Sequence, residues 1–178
     1  PIFKSHERDF ESQVGKVCGK VTVLKANHHG YYDTCNPFFL RDLNPQVIII
    51  DARSNNHPVP TTMARIVDHQ VWGGDRDYYI TVDAPRKKLG EDLWSNFKPW
   101  GNIVVRVYPG GDQYQVFVLD ADSQDYHIIY KSDIVKVSFI RSGNFINISS
   151  ESMIQKVSIY DISGKMVMER VINHSNAT

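Results

Sequence analysis

The chain has 178 residues, of which 42% are hydrophobic and 22% charged, and this is ordinary for a globular protein of one medium domain or one domain with a small module. Its 20 basic and 20 acidic residues leave no net charge, so the composition does not imply nucleic-acid binding. No apolar run approaches the length of a membrane span, and the sequence therefore predicts no transmembrane segment.

The sequence up to Lys98 alternates helical and strand patterns. Phe10, Val14 and Val17 recur at helical spacing, whereas the β-branched run at 47–50 predicts a strand buried on both faces. Strand, helix and strand in this order predict parallel strands with a right-handed crossover. The expected elements are a helix over 5–17, a strand ending at His28, a helix over 37–43 with Asn36 as N-cap, a strand over 46–51, a helix from Pro60 or Thr61, a strand over 78–82 and a helix over 86–97.

Beyond residue 101 the pattern is typical of strands and turns. Residues 102–108 and 113–119 predict a hairpin, the acidic stretch 120–125 predicts a linker, and 126–130 is apolar enough to pair as a strand. Short alternating strands are expected at 135–140, 145–148, 157–160 and 166–171. The polar residues 173–178 predict no further strand, so we expect a small β module that is cut short. The predicted domains are 1–125 and 133–178.

Two cysteines, Cys18 and Cys35, permit at most one disulfide and lie in no metal-binding spacing. We expect both to be small buried or half-buried residues.

Two histidine-bearing loops follow the first two predicted strands. His28 and His29 precede Gly30, which lets the chain turn away, and His57 follows the second strand. Parallel strands end at one edge of a sheet, so both loops are expected to project there. Adjacent strand residues point to opposite faces, so one imidazole is expected to face a given site and the other to lie beside it. Imidazole is the commonest ligand of zinc-like ions, although loop histidines without a task remain the alternative.

The sequence gives less reason to assign a metal-binding role to the other polar residues near these loops. Asp33 and Asp51 are interpreted as a turn residue and a strand-end residue rather than as metal ligands. The remaining histidines, which match no motif, are expected at the surface or at helix ends; they are His6, His69, His127 and His174.

An ordered set of segments resembles the C-terminal half of metallo-β-lactamase-fold hydrolases. The segments are 23–30, 36–40, 44–50 and 56–58, with 74–77 and 104–111 fitting the same pattern. They are most similar to the branch that carries "LKxxHHG" and a later "HP", which includes phosphodiesterase-type and DNA-uptake-associated members. The resemblance covers about residues 5–121.

This resemblance implies an α+β fold, namely half of an αββα sandwich followed by a small, incomplete Ig-like module. It also implies His29 as a ligand of one or two zinc ions, with His28 beside it as a group that supports this ligand or contacts phosphate. His57 is implied to face the substrate, and His28 and His57 are the expected catalytic residues. The family's HxHxDH motif and its bridging aspartate are absent from this sequence. We therefore expect zinc only in the complete protein, and no activity without the N-terminal half.

The expected function is hydrolysis of a small-molecule or phosphodiester substrate by metal-activated water. The alternative is a degenerate, non-catalytic binding or surface-anchored module.

The tail carries a second resemblance. Residues 157–167 resemble the "VxIYDxxGKxV" hairpin of C-terminal sorting domains used by type IX secretion in Bacteroidetes-like bacteria, with Gly164 expected at a positive φ in the turn. The family's later "GxYxxxV" strand is missing, and an ordinary Ig-like hairpin is the alternative. The resemblance implies contact with the type IX secretion machinery and a secreted or cell-surface location in a Gram-negative bacterium.

Overall fold

The computed structural model describes residues 9–71, 75–142, 145–160 and 165–177, and the side chains of these ranges apart from 135–153, 160 and 173–177. Helices and strands both occur, which confirms the α+β class in its coarse form. The chain divides into two compact units, Pro1–Ile103 with Val118–Tyr130 and Val104–Phe117 with Lys131–Thr178. The domain limits 1–125 and 133–178 stay a prediction.

The first unit is built on a parallel sheet in the order β1-β2-β3. Val23 of β1 pairs with Val47 of β2, which in turn pairs with Asp77 of β3, so the expected parallel arrangement is confirmed. The elements of this unit are α1 (Phe10–Cys18), β1 (Val23–Lys25), α2 (Pro37–Leu43), β2 (Val47–Ile50), α3 (Pro60–Val67), β3 (Asp77–Ile80), α4 (Arg86–Leu89), α5 (Glu91–Trp94) and most of β6 (Ile128–Lys131).

The core of this unit consists of apolar residues from the sheet and from α2 and α3. Full burial of one such side chain contributes about 1.5–3 kcal/mol. The residues without solvent exposure include Leu40, Ile48, Ile50, Met63, Ile66 and Ile80. The predicted cap of α2 is also confirmed, because Asn36 accepts a hydrogen bond from the Phe39 N–H at 2.9 Å.

The predicted first helix is present as α1, whereas the helix predicted over 86–97 needs correction. The apolar residues of α1 are solvent-exposed, with Phe10 at 71% and Val17 at 87%, whereas Gly15 is the residue that packs closely, against α2. The helix predicted over 86–97 is two short helices, since Gly90 between them adopts a positive φ of 77° that no helix contains. Residues 1–8, where the first helix was predicted to begin, lie outside the described residues.

The second unit contains a β-sheet in which neighbouring strands follow the order β4-β5-β7-β8-β9. Its strands are most of β4 (Asn102–Val107), most of β5 (Gln113–Leu119), β7 (Val135–Ser142), β8 (Phe145–Tyr160) and β9 (Met166–Ala177). The predicted hairpin of β4 and β5 is confirmed. The expectation that no strand covers 173–178 was wrong, because β9 continues to Ala177. The predicted turn glycine, Gly164, lies outside the described residues, as do residues 72–74 of another predicted turn.

Candidate functional site

Two loops meet at the carboxyl edge of the parallel sheet. A 3₁₀ turn over Asn27–Gly30 follows β1, and the loop carrying His57 follows β2. The ring centroid of His57 lies 5.7 Å from that of His28 and 5.6 Å from that of His29, and the latter two are 6.5 Å apart. The structure therefore brings the three predicted site residues together.

The backbone of the first loop gives this cluster its geometry. His28 and His29 do not continue the strand; both adopt left-handed conformations, with φ of 43° and 55°. The strand that the sequence predicts to end at His28 ends at Lys25, so neither histidine belongs to it. A left-handed conformation costs a residue with a Cβ roughly 1–2 kcal/mol. Hydrogen bonds and close packing around the turn must offset that cost.

Gly30 holds the two loops against each other. Its carbonyl accepts a hydrogen bond from the Val59 N–H at 3.1 Å, so the chain beyond His57 is tied to the end of the first loop. A Cβ at position 30 would lie 2.8 Å from the Cβ of Pro58, which is buried. With a φ of 78°, this position needs glycine for both its conformation and its contact.

Asp51 orients the imidazole of His29. The Nδ1 atom of His29 lies 2.8 Å from the Asp51 carbonyl oxygen and 3.0 Å from its Oδ1. A carbonyl oxygen can only accept, so Nδ1 carries the hydrogen and Nε2 of the neutral ring keeps its lone pair. This arrangement, in which a carboxylate fixes the tautomer of an imidazole, is common behind metal ligands in proteins.

Asp33 contacts the second imidazole of the first loop, with its Oδ1 3.3 Å from Nδ1 of His28. Both carboxylates were interpreted from the sequence as turn or strand-end residues, so their contacts with the imidazoles were missed. A usable signal exists for Asp51, because it directly follows a buried strand and so must reach the same edge as His29. The pairing of Asp33 depends on the left-handed turn, for which the sequence offers no comparable signal.

Tyr31 adds an aromatic ring to the cluster. Its ring lies nearly parallel to that of His57, with a centroid distance of 5.0 Å and an interplanar angle of 15°. The Tyr31 carbonyl accepts hydrogen bonds from the hydroxyls of Thr34 and Thr62, at 3.0 and 2.8 Å. Because Thr62 belongs to α3, the helix fixes the position of this ring beside His57.

Burial and neighbouring groups shift the pKa values of two residues at the site, His57 and Asp51. Burial, followed by the charges of His29, His28 and Lys88, lowers the pKa of His57. Burial alone would raise the pKa of Asp51, but hydrogen bonds from Lys25 and His29 outweigh it and hold that pKa below its ordinary value. The Lys25 Nζ lies 3.1 Å from the Asp51 Oδ1, so this carboxylate contacts two basic groups.

The donor set fits part of a zinc site. His29 offers a carboxylate-oriented imidazole, which suits zinc. A zinc site requires three or four ligands, however, and no group of three or more His, Cys, Asp or Glu residues in the described ranges could hold a metal ion. Any complete site would therefore draw further ligands from outside these residues.

The structure describes the side chains of two of the four remaining histidines and of both cysteines. His69 and His127 are exposed, as expected, whereas His6 and the side chain of His174 are not among the described groups. Both cysteines are free; Cys35 is buried, and burial raises its pKa to about 11. Cys18 is exposed, which corrects the expectation of a buried or half-buried residue, because it lies in the last turn of the largely exposed α1.

No protein-family model, curated protein or solved structure matches this chain. Within the described ranges, no helix has the length and apolar character needed to cross a membrane.

Proposed function

We propose that this chain supplies one side of the active site of a metal-dependent hydrolase that cleaves a phosphodiester or another ester. The observation that carries the proposal is the meeting of three imidazoles, those of His28, His29 and His57, at the carboxyl edge of a parallel sheet. Open sheets of this kind collect ligands at that edge. The remaining ligands would come from an HxHxDH-type segment, which this sequence does not contain.

Each residue of the cluster has a separate role in this proposal. His29 would hold zinc through Nε2, with Asp51 fixing the ring at Nδ1. Zinc bound there would activate water for attack on the ester. His28 and His57, whose rings flank His29, would contact the substrate and exchange protons with it through their ring nitrogens. Tyr31 would keep the His57 ring in place through its parallel packing.

Hydrolysis of bis(p-nitrophenyl) phosphate by the protein that includes the HxHxDH-type segment tests this function. We expect His29→Ala to lower the zinc-dependent rate by about a hundredfold or more, the usual loss when a group acting directly in an active site is removed. His127→Ala, which removes an exposed imidazole outside the cluster, is the matched control and should retain the rate. Equal rates for the wild-type protein and His29→Ala would contradict the assignment.

A second candidate is a non-catalytic binding or surface-anchored module on a degenerate hydrolase fold. The lack of a three-ligand group among the described residues favours it. The same experiment separates the two functions: this candidate predicts no zinc-dependent hydrolysis in any variant, with an unchanged circular dichroism spectrum for His29→Ala.

We further propose that the β module serves as a type IX sorting domain and places the protein outside the cell or on its surface. The antiparallel pairing of β8 with β9, which aligns Val157 with Arg170, supports the hairpin on which the resemblance rests. We include an Ig-like architecture of this β module in the same proposal. Export of the full chain, compared with a form that ends at residue 132, tests it in a bacterium with that machinery. Equal surface amounts of the two forms would contradict it.

A further inference from the structure

Lys88 approaches the histidine cluster from a separate element. It lies on the exposed side of α4, and its Nζ donates a hydrogen bond at 3.3 Å to the carbonyl of Asn56, the residue directly before His57. The buried side chain of Leu89 anchors the same helix in the core. The hydrogen bond of Nζ and the buried neighbour Leu89 therefore position the Lys88 side chain beside the His57 loop.

Lys88 also differs from Lys25 and Lys98 in its charge partners. Lys25 contacts Asp51 at 3.1 Å and Lys98 contacts Asp77 at 2.9 Å. In the parts of the chain that the structure describes, no carboxylate forms an ion pair with Lys88 or with His57. An ammonium group has three N–H donors, and the Asn56 carbonyl takes one of them. The other two remain for an acceptor from solution.

The imidazoles of the cluster do not lie in one plane. The rings of His28 and His57 meet at 70°, with their centroids 5.7 Å apart. Donors in different planes suit the oxygens of a tetrahedral anion better than those of a planar carboxylate. Phosphate combines that shape with several strong acceptor oxygens and a charge of about −1.5 to −2 near neutral pH for a monoester.

We infer that Lys88, together with the ring nitrogens of His28 and His57, binds the phosphate group of a substrate. This inference rests on the proposed function, because it uses the same imidazoles, and it deepens it by naming the group that the site recognises. Lys88 acts as a specificity residue that favours phosphate mono- or diesters over neutral esters. It belongs to neither loop that carries the histidines.

The test is a titration of the full chain with inorganic phosphate, followed by backbone NMR shifts. EDTA is present to remove metal, and chloride keeps the ionic strength constant. We expect saturable shifts at residues 28, 57 and 88, and about a threefold loss of affinity for Lys88→Gln, the size expected for one exposed charge. Lys88→Arg should retain most of the affinity. Lys87→Gln removes the same charge from the same helix and should change the affinity by less than the Lys88 variant.

Three results would overturn the inference. They are the absence of saturable shifts, equal weakening by the two glutamine variants, and shifts spread over lysines and arginines far from residues 28, 57 and 88. A parallel titration with dimethyl phosphate identifies the source of the group: binding of both probes indicates a site open to diesters, and binding of inorganic phosphate alone indicates a terminal phosphate. Because no turnover is measured, failure here leaves hydrolysis of neutral esters standing.

Discussion

β2 and β9 are both rich in apolar residues, yet they differ in burial. Ile48 and Ile50 of β2 have no solvent exposure, whereas Val167 of β9 is 65% exposed and Val171 is 69% exposed. β2 pairs with a strand on each side, and β9 stands at the end of its strand order. Ile48 and Ile50 also pack in a core with residues of α2 and α3, so the burial of an apolar strand depends on what packs around it rather than on its composition alone.

The largest expected effect on stability comes from shortening a buried side chain of β2, and an exposed side chain of β9 serves as the comparison. Ile48→Ala deletes fully buried carbon atoms and leaves a cavity, so we expect it to lower the free energy of unfolding by about 2–5 kcal/mol. Val167→Ala, at an exposed position, should change it by less than about 0.5 kcal/mol. Urea unfolding followed by circular dichroism measures both. A larger loss for Val167→Ala would show that β9 is covered in solution.

A second pair of substitutions separates steric contact from backbone conformation. Gly30 and Gly90 have nearly the same positive φ, 78° and 77°, but only at Gly30 would a Cβ meet another atom, at 2.8 Å. We expect Gly90→Ala to cost about 1 kcal/mol from conformation alone, and Gly30→Ala to cost more, about 2–3 kcal/mol.

Thermal unfolding of both variants, with NMR shifts of the His57 ring as a second measurement, checks this difference. Equal costs, with an unmoved His57 ring in both variants, would contradict the role of Gly30 in holding the two loops together.

The sequence predicts the parallel sheet and the helices α2 and α3 well, and for a physical reason. Residues 47–50 form an unbroken β-branched run, and Asn36 with Pro37 marks a helix start through local hydrogen bonding. Such signals depend on a few neighbouring residues. The exposure of Phe10 and the break at Gly90 depend instead on long-range packing and on one backbone angle, and so escaped prediction.

Two lysine–carboxylate pairs have similar lengths and similar exposure. Lys25 lies 3.1 Å from Asp51, and Lys156 lies 3.2 Å from Glu169 in the β8–β9 hairpin. Because both pairs are well exposed, Asp51→Asn and Glu169→Gln should each cost less than about 1 kcal/mol. Only the Asp51 variant should also change the His29 tautomer ratio, measured by ¹⁵N NMR.

The effect of Asp51→Asn should depend on pH in a defined direction. The pKa of Asp51 is lower in the folded chain than its ordinary value of 3.8. The ionised carboxylate therefore stabilises the fold above pH 3.8, and this stabilisation is lost as the pH falls below that value. The stability difference between wild type and variant should shrink accordingly. A difference that grows on acidification would contradict the contacts assigned to Asp51.

The candidate site shows the same division between what is and is not predictable. The edge at which His29 and His57 meet follows from strand order, which the sequence indicates. The orientation of the rings depends on two left-handed residues and on the carboxylates of Asp33 and Asp51. A left-handed backbone conformation is uncommon for histidine, and no local sequence pattern around 27–30 predicts it.

The most direct test of the proposed metal site is the zinc content of this chain when it is joined to the HxHxDH-type segment that the proposal requires. Mass spectrometry of the protein, purified without chelator, should find at least one zinc ion per chain, and His29→Ala should reduce that content while His127→Ala retains it. A protein that contains no zinc, or one whose zinc content is the same in His29→Ala, would contradict the claim that this edge of the sheet is a metal site.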